Sequence, residues 1–325
     1  MIENILSNIY KIEIPLPGNP LKALNSYVIR SSERNLIIDT GWDREECRIA
    51  MQAGLRELDV DLKKSDFFIT HFHTDHLGLV PTLVTETSKI YFNQRDAHSV
   101  ENSRARWNDS FHYARLNGLT GSDLQTFLDR HPGYKYRAKK ELDFTIVKEG
   151  DTLNIGQYSF KCVETPGHTE GHMCLYEPNR RVCVSGDHVL NSITPNIQLW
   201  SDKWNPLKEY LKSLDKVYEF DIEFLLPGHR ESFGNCRERI LELREHHRKR
   251  IEEILSILRK GNKNAFQVAS EMTWDIADVY DSFDLFPATQ KWFATGEAIA
   301  HLKYAEEKGM IRKHVHENEI FYSLN

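Results

Sequence analysis

Nothing in this 325-residue sequence approaches the ~18 uninterrupted apolar residues that a membrane span requires. The N-terminal stretch MIENILSNIYKIEIPLPG has no cationic head, apolar run or small-residue cleavage site, so no secretory signal is read there. Cysteine is scarce: Cys47, Cys162, Cys174, Cys183 and Cys236 offer neither CxxC spacing nor a dense, even-numbered framework. A disulfide scaffold is thereby excluded, and a reduced, cytoplasmic protein is expected. An excess of positive charge is also missing. With 42 Lys and Arg against 48 Asp and Glu, the net charge is -6, unlike a general nucleic-acid binder, whose phosphate contacts demand a basic face. Repeats and low-complexity tracts are absent. At roughly 150 residues per domain the length allows about two domains, and a composition 40% hydrophobic and 28% charged is that of a globular chain. What the sequence has in quantity is histidine, 15 residues, several of them beside Asp and Gly.

The first 45 or so residues read as strands separated by turns: NIYKIEI, NSYVIR and NLIIDTG. Residues 44–58 have helical spacing, with Cys47, Met51, Leu55 and Leu58 on one side. DFFIT and KIYFN follow as strands, and DFTIV, YSFKCVE, CLYEP, RRVCVS and IEFLLP continue the series later. Between the two groups, about 95–145, lies a helical insertion in which SDLQTFLDR reads as a helix capped by Ser122 or Asp123. Over residues 95–140 it carries nine Lys/Arg against five Asp/Glu. From Cys236 a long charged helix runs to Gly261, followed by apolar helices and a final EIFYSL strand. The expected organisation is a catalytic domain over 1–235 with a helical lid insertion, then a helical domain over 236–325.

Four strand-like runs each end in a loop rich in ligand residues. DFFIT leads to His71, His73, Asp75 and His76; YSFKCVE to His168 and His172; RRVCV to Asp187 and His188; IEFLLP to His229. Strands packed in sheets can deliver such loops to one edge, and small residues beside the ligands (Gly78, Gly167, Gly171, Gly186, Gly228) permit close backbone approach. Imidazole and carboxylate suit zinc, iron or manganese, and no thiolate pattern lies nearby to suggest a structural zinc finger. In HxHxDH, residues 71 and 73 point the same way in an extended segment, while Asp75 and His76 reach a neighbouring position. Two adjacent metal sites are the consequence, with a carboxylate such as Asp187 able to bridge them. Two cations about 3.5–4 Å apart can hold a hydroxide and polarise a substrate oxygen, so hydrolysis is the implied chemistry.

THFHTDHLG, TPGHTEGH, SGDH and PGH, in this order, resemble the metallo-β-lactamase-fold hydrolase superfamily over roughly residues 1–235. The resemblance implies an αββα sandwich in the α+β class with the metals at one edge of the sheets. It implies His71, His73 and His168 on a first metal, Asp75, His76 and His229 on a second, and Asp187 bridging. Asp39, in LIIDTG, matches a strand-end residue that buttresses the site without binding metal. The complete HxHxDH is similar to glyoxalase II-like thioesterases, lactonases and RNA-processing nucleases. It departs from the flavodiiron type, which has Glu at the position of His73, and from the zinc β-lactamase branch, which has Cys at that of Asp187. The segment GEAIAHLKYAEEKGMIRKHVHENEIFYSL resembles the winged-helix-type tail of a lactamase-like subgroup that includes small-molecule hydrolases and an endoribonuclease branch.

The function so implied is a dinuclear hydrolase, two zinc ions or else iron or manganese, using a metal-bound hydroxide on a small ester, thioester or lactone. Asp75 is the catalytic residue that orients the nucleophile or carries its proton. A metal-dependent phosphodiesterase or ribonuclease and a metal-containing ligand sensor are the alternatives. Residues 236–325 hold 14 Lys/Arg and 15 Asp/Glu, and Glu306 and Glu307 fall on the helix that would read nucleic acid. The tail is therefore expected to serve packing or a homodimer, with a small-molecule substrate, no nucleic acid and no membrane as partners. Arg104, Arg106 and Arg115 of the insertion are read either as solvated or as contacts for an anionic substrate. His172 is expected to orient its loop, and His188 to stand behind the metals or on the substrate side. His98, His112 and Tyr113 are expected as exposed helix residues, and His246, His247, His301, His314 and His316 as surface residues. Trp274, Phe283, Phe286, Trp292 and Phe293 are expected as core or interface.

Overall fold

Isoleucines at 12 and 14 with Glu13 between them give the two-residue period of a strand with one covered face, and this pattern opens the structure. A computed structural model describes residues 2–121, 124, 126–127, 133, 142–274, 280 and 282–325. Two compact units divide the chain. The first comprises Met1–Glu101, Tyr136–Pro195 and Ser213–Ile240, and the second Asn102–Lys135, Asn196–Lys212 and Leu241–Asn325.

The first unit holds two sheets. Strands β1 (Ile2–Leu6), β2 (Ile9–Pro15), β3 (Ala23–Ile29), β4 (Asn35–Ile38), β5 (Ser65–Phe68), β6 (Ile90–Asn93) and β7 (Thr145–Val147) lie side by side in sequence order. The pairs from β1 to β4 are antiparallel and those from β4 to β7 parallel. Strands β8 (Thr152–Ile155), β9 (Tyr158–Glu164), β10 (Met173–Glu177), β11 (Val182–Gly186) and β12 (Phe224–Pro227) form the second sheet in the order β12-β11-β10-β9-β8. There β11 and β12 pair in parallel, and β8–β9, β9–β10 and β10–β11 antiparallel. Ile29, Leu36, Ile38 and Phe68 of the first sheet meet Phe160, Leu175, Val184 and Leu226 of the second in one buried core. The opposite face of the first sheet, with Ile12, Val28, Ile37 and Phe67, packs on Met51 and Leu55. These two belong to helix Glu45–Glu57, whose buried positions Cys47, Met51, Gly54 and Leu55 repeat at helical spacing. The result is the mixed α+β sandwich that the motifs implied.

Strand direction explains the site. β9 and β11 both run antiparallel to β10, and β12 runs parallel to β11, so β9, β11 and β12 end on the same side of their sheet. In the other sheet β4, β5 and β6 likewise end together.

In the second unit, Trp107, Ala114, Leu119, Leu124, Phe127 and Trp292 form a core, with Trp200 stacked on Trp292 at 3.7 Å. Helix Ser103–Leu116 supplies Trp107 and Ala114, and helix Ala288–Glu307 supplies Trp292. Helix Ala265–Glu271 begins with a capping box between Asn264 and Gln267. β13 (Ile311–His316) and β14 (Glu319–Leu324) form a hairpin whose turn residues Glu317 and Asn318 both have positive φ.

Several expectations need correction. Tyr113 is buried, not exposed, because it faces the core side of its helix. His247 and His301 are buried, not on the surface: each turns inward between helices, His247 Nδ1 lying 3.0 Å from His301 Nε2. Helix Pro206–Tyr218 and strand β8 occupy stretches where the sequence reading assigned no element. Of the helix expected at SDLQTFLDR, most lies outside the described residues. His98, His112, His314 and His316 are exposed as expected, and Phe283, Phe286 and Trp292 are buried. All five cysteines are free. Among the described residues no helix is long and apolar enough to cross a membrane.

Candidate metal centre

β5 ends at Phe68, and the chain that follows carries His71 and His73 into the short helix Thr74–Leu77, which bears Asp75 and His76. His168 lies beyond β9, Asp187 follows Gly186 at the end of β11, and His229 lies two residues beyond β12. All seven converge. Ligand atoms gather in three overlapping groups: His71, His73 and His168; His71, His76 and Asp187; Asp75, His76 and His229.

Hydrogen bonds fix which nitrogen of each ring faces inward. His76 Nδ1 donates to Asp39 Oδ2 at 2.7 Å and His229 Nδ1 to the Ala23 carbonyl at 2.7 Å, leaving both Nε2 atoms aimed at the cluster. His71 Nδ1 lies 3.1 Å from Thr70 Oγ1, which itself donates to Asp39 Oδ2. His71 Nε2 and His168 Nε2 stand 3.0 and 2.9 Å from His73 Nδ1. Asp187 lies among them: Oδ2 is 3.6 Å from His168 Nε2 and 3.5 Å from His229 Nε2, and Oδ1 is 3.6 Å from His76 Nε2. Ligand atoms around one tetrahedral zinc at 2.0–2.1 Å are roughly 3.3–3.4 Å apart, so these separations are of the right size.

Two observations test whether the residues suit cations. His76 Nε2, His229 Nε2 and Asp187 Oδ1 are buried and have no hydrogen-bond partner among the described residues. Such a group ordinarily costs about 1–3 kcal/mol, and a cation would satisfy all three. Gly228 adds the second. A β-carbon there would fall 2.7 Å from Asp187 Oδ1 and 2.9 Å from His76 Cε1, so glycine alone leaves this space open. The residues fit divalent metal.

Electrostatics agree. Burial and the neighbouring imidazoles push His71 and His73 well below the usual histidine range, which keeps them neutral, the ligating form. Burial opposes charge on both His76 and His229, but Asp39, Asp187 and Asp75 outweigh it at His76 and raise it, and Asp187 and Asp75 push His229 up to about 10. Burial likewise opposes the carboxylates, yet His76 and His229 hold Asp75 at about 2 and Asp187 well below the carboxylate range. Carboxylates and imidazoles in this cluster thus each favour the charged form of the other. Asp75, 15% exposed, lies toward the solvent side, whereas the His76 and His229 side chains are fully buried.

His172 does not join the cluster. Its Nε2 accepts from the Asp187 amide at 3.1 Å, and its Nδ1 lies 2.7 Å from Thr165 Oγ1, so it anchors the Asp187 loop. His188 is buried, and burial lowers it to about 3. Other supports escape the sequence reading. Asn25 Nδ2 donates to the Pro227 and Arg230 carbonyls, and Tyr27 Oη to the Pro227 carbonyl, fixing the loop of His229. Asp96 also binds the histidine loops, through the Phe72 and Gly171 amides. No local motif marks these residues, because their partners are backbone groups distant in sequence.

A family model described as the metallo-beta-lactamase superfamily matches residues 21–229. A Bacillus subtilis protein named probable metallo-hydrolase YqjP is 24% identical over 91% of this chain and 92% of its own. The human acyl-coenzyme A thioesterase MBLAC2 is 26% identical over 67% of this chain and 76% of its own. Among solved structures, the metallo-beta-lactamase family protein TTHA1429 from Thermus thermophilus superposes with a TM-score of 0.82 at 24% identity. That similarity covers 99% of this chain and 100% of the other.

Proposed function

Because this chain belongs to the metallo-β-lactamase superfamily of metal-dependent hydrolases, we propose that it uses two divalent cations to hydrolyse a small thioester, ester or lactone. The observation that carries this reading is the position of Asp187, whose two oxygens lie 3.5–3.6 Å from nitrogens of His76, His168 and His229. His71, His73 and His168 would hold one cation; Asp75, His76 and His229 would hold the other; Asp187 would bridge. Zinc suits this donor set, as do iron and manganese. When bound, such cations lower the pKa of water from about 15.7 toward about 7 and polarise a carbonyl oxygen.

The chain's own residues do the rest. Asp75, held ionised at about 2 and partly open to solvent, accepts a hydrogen bond from the attacking water and orients it toward the carbonyl. Asp39 and the Ala23 carbonyl fix the rings of His76 and His229, so the ligands need no rearrangement to act. A thioester is placed first because two relatives named acyl-coenzyme A thioesterase are 26% and 24% identical over 67% of this chain.

Asp187→Ala tests the reading. It is expected to lose bound metal and to lower hydrolysis of a thioester, ester and lactone panel by more than about 100-fold, beyond the 10–100-fold typical of losing a ligand's partner. Wild-type turnover by folded, metal-depleted Asp187→Ala protein would refute the mechanism.

A further inference from the structure

Asp96 is the one fully buried carboxylate of helix Gln94–Glu101, and it lies outside the seven-residue cluster. It sits just past the end of β6, beside β5 in the parallel part of the first sheet. Its oxygens reach two loops at once. Oδ2 accepts from the Phe72 amide at 2.9 Å and from Thr169 Oγ1 at 2.8 Å, and Oδ1 accepts from the Gly171 amide at 2.8 Å. Phe72 separates His71 from His73, and Thr169 directly follows His168. One carboxyl side chain therefore clasps both segments that would hold the first cation, though His73 and His168 are 95 residues apart.

The chain makes room for this contact. A β-carbon at Gly171 would lie 2.6 Å from Asn93 Oδ1, 2.7 Å from the Asp96 nitrogen and 2.8 Å from Asp96 Oδ1, so only glycine lets the loop approach. Asn93 Oδ1 accepts from the Arg95 amide at 2.9 Å, and Asn93 Nδ2 donates to Glu164 Oε1 at 3.1 Å, tying the turn before Asp96 to the end of β9. At least three donors, two of them backbone amides, hold this one side chain against both loops.

We propose that Asp96 is a positioning residue that sets the spacing of His71 and His73 relative to His168, and thereby the affinity for the cation these three share. This rests on reading the seven-residue cluster as a metal centre. An amide at 96 cannot reproduce the clasp, since its NH2 group would face an N–H or O–H donor.

The test is cobalt(II) titration of metal-free protein against a competing chelator, following visible absorption and thermal unfolding, in wild type, Asp96→Asn, Thr169→Val and Thr169→Ser. Asp96→Asn is expected to weaken one of two cobalt-binding events by about 10–100-fold, to change the absorption bands of that event and to leave the other event unaltered. Thr169→Val is expected to weaken the same event by a smaller factor, and Thr169→Ser to retain wild-type affinity. Folded Asp96→Asn protein that binds both ions as tightly as wild type, or weakens both equally, would overturn the proposal. If Asp96→Asn does not fold, the Thr169 pair decides: equal affinity in Val and Ser variants overturns it, and selective loss in Val supports it. Failure of wild type to bind cobalt would instead overturn the metal-centre reading beneath it.

Discussion

Asp39 takes a left-handed backbone conformation, φ +56°, at the end of β4, a region that Asp tolerates better than most residues. That turn aims its carboxylate at the Thr70 amide and hydroxyl and at His76 Nδ1. The consequence is a His76 ring held in one orientation with Nε2 presented to the cluster. Asp39→Asn keeps the shape but removes the charge that supports this imidazole. It is expected to weaken binding of the cation beside His76 by about 10–100-fold, read by chelator competition; unchanged affinity would show that Asp39 serves folding alone. At this scale the sequence is most informative about the ligands. His71, His73, Asp75 and His76 lie within six residues, and His168, Asp187 and His229 each sit next to glycine at a strand end. Asp96, Asn25 and Thr70 are not legible there, because they act on backbone groups or on atoms brought near only by the fold.

Pairing between helices decides what an isolated histidine means. His247 and His301 read as surface residues in the sequence because their neighbours His246, Arg248, Lys249 and Lys303 are polar. In the structure His301 Nδ1 donates to the Glu297 carbonyl at 2.8 Å, and the two rings meet between helices Cys236–Leu258 and Ala288–Glu307. Burial lowers both imidazoles, His301 to about 3. In the unfolded chain they titrate near 6.5, so between these values the unfolded state binds more protons and stability falls as pH falls. The urea midpoint is accordingly expected to be lower at pH 5 than at pH 7.5, and the difference to be smaller in His301→Gln. An equal pH difference in variant and wild type would contradict this. Strands are more legible than helices. β2, β3, β5 and β9 to β12 follow apolar runs bounded by turn residues, whereas helix Pro206–Tyr218 escapes the reading although Leu207, Tyr210, Leu214 and Val217 are buried at helical spacing.

Over the whole chain, strand direction accounts for why separated segments supply one cluster. Six strand ends, those of β4, β5, β6, β9, β11 and β12, carry Asp39, the HxHxDH loop, Asp96, His168, Asp187 and His229. The order of motifs in the sequence thus already contains the sandwich, while the membership of residues 102–135 and 196–212 in the second unit depends on contacts between distant segments. The clustered donors, the unpartnered buried atoms of His76, His229 and Asp187 and the superfamily membership support the proposal at the centre of this account, that the hydrolase works through two cations held in this cluster. Elemental analysis of protein purified without added metal, followed by a thioester assay before and after chelation, tests it most directly. About two divalent cations per chain are expected, with turnover lost on their removal and restored on their return. Full turnover from protein stripped of every cation would contradict it.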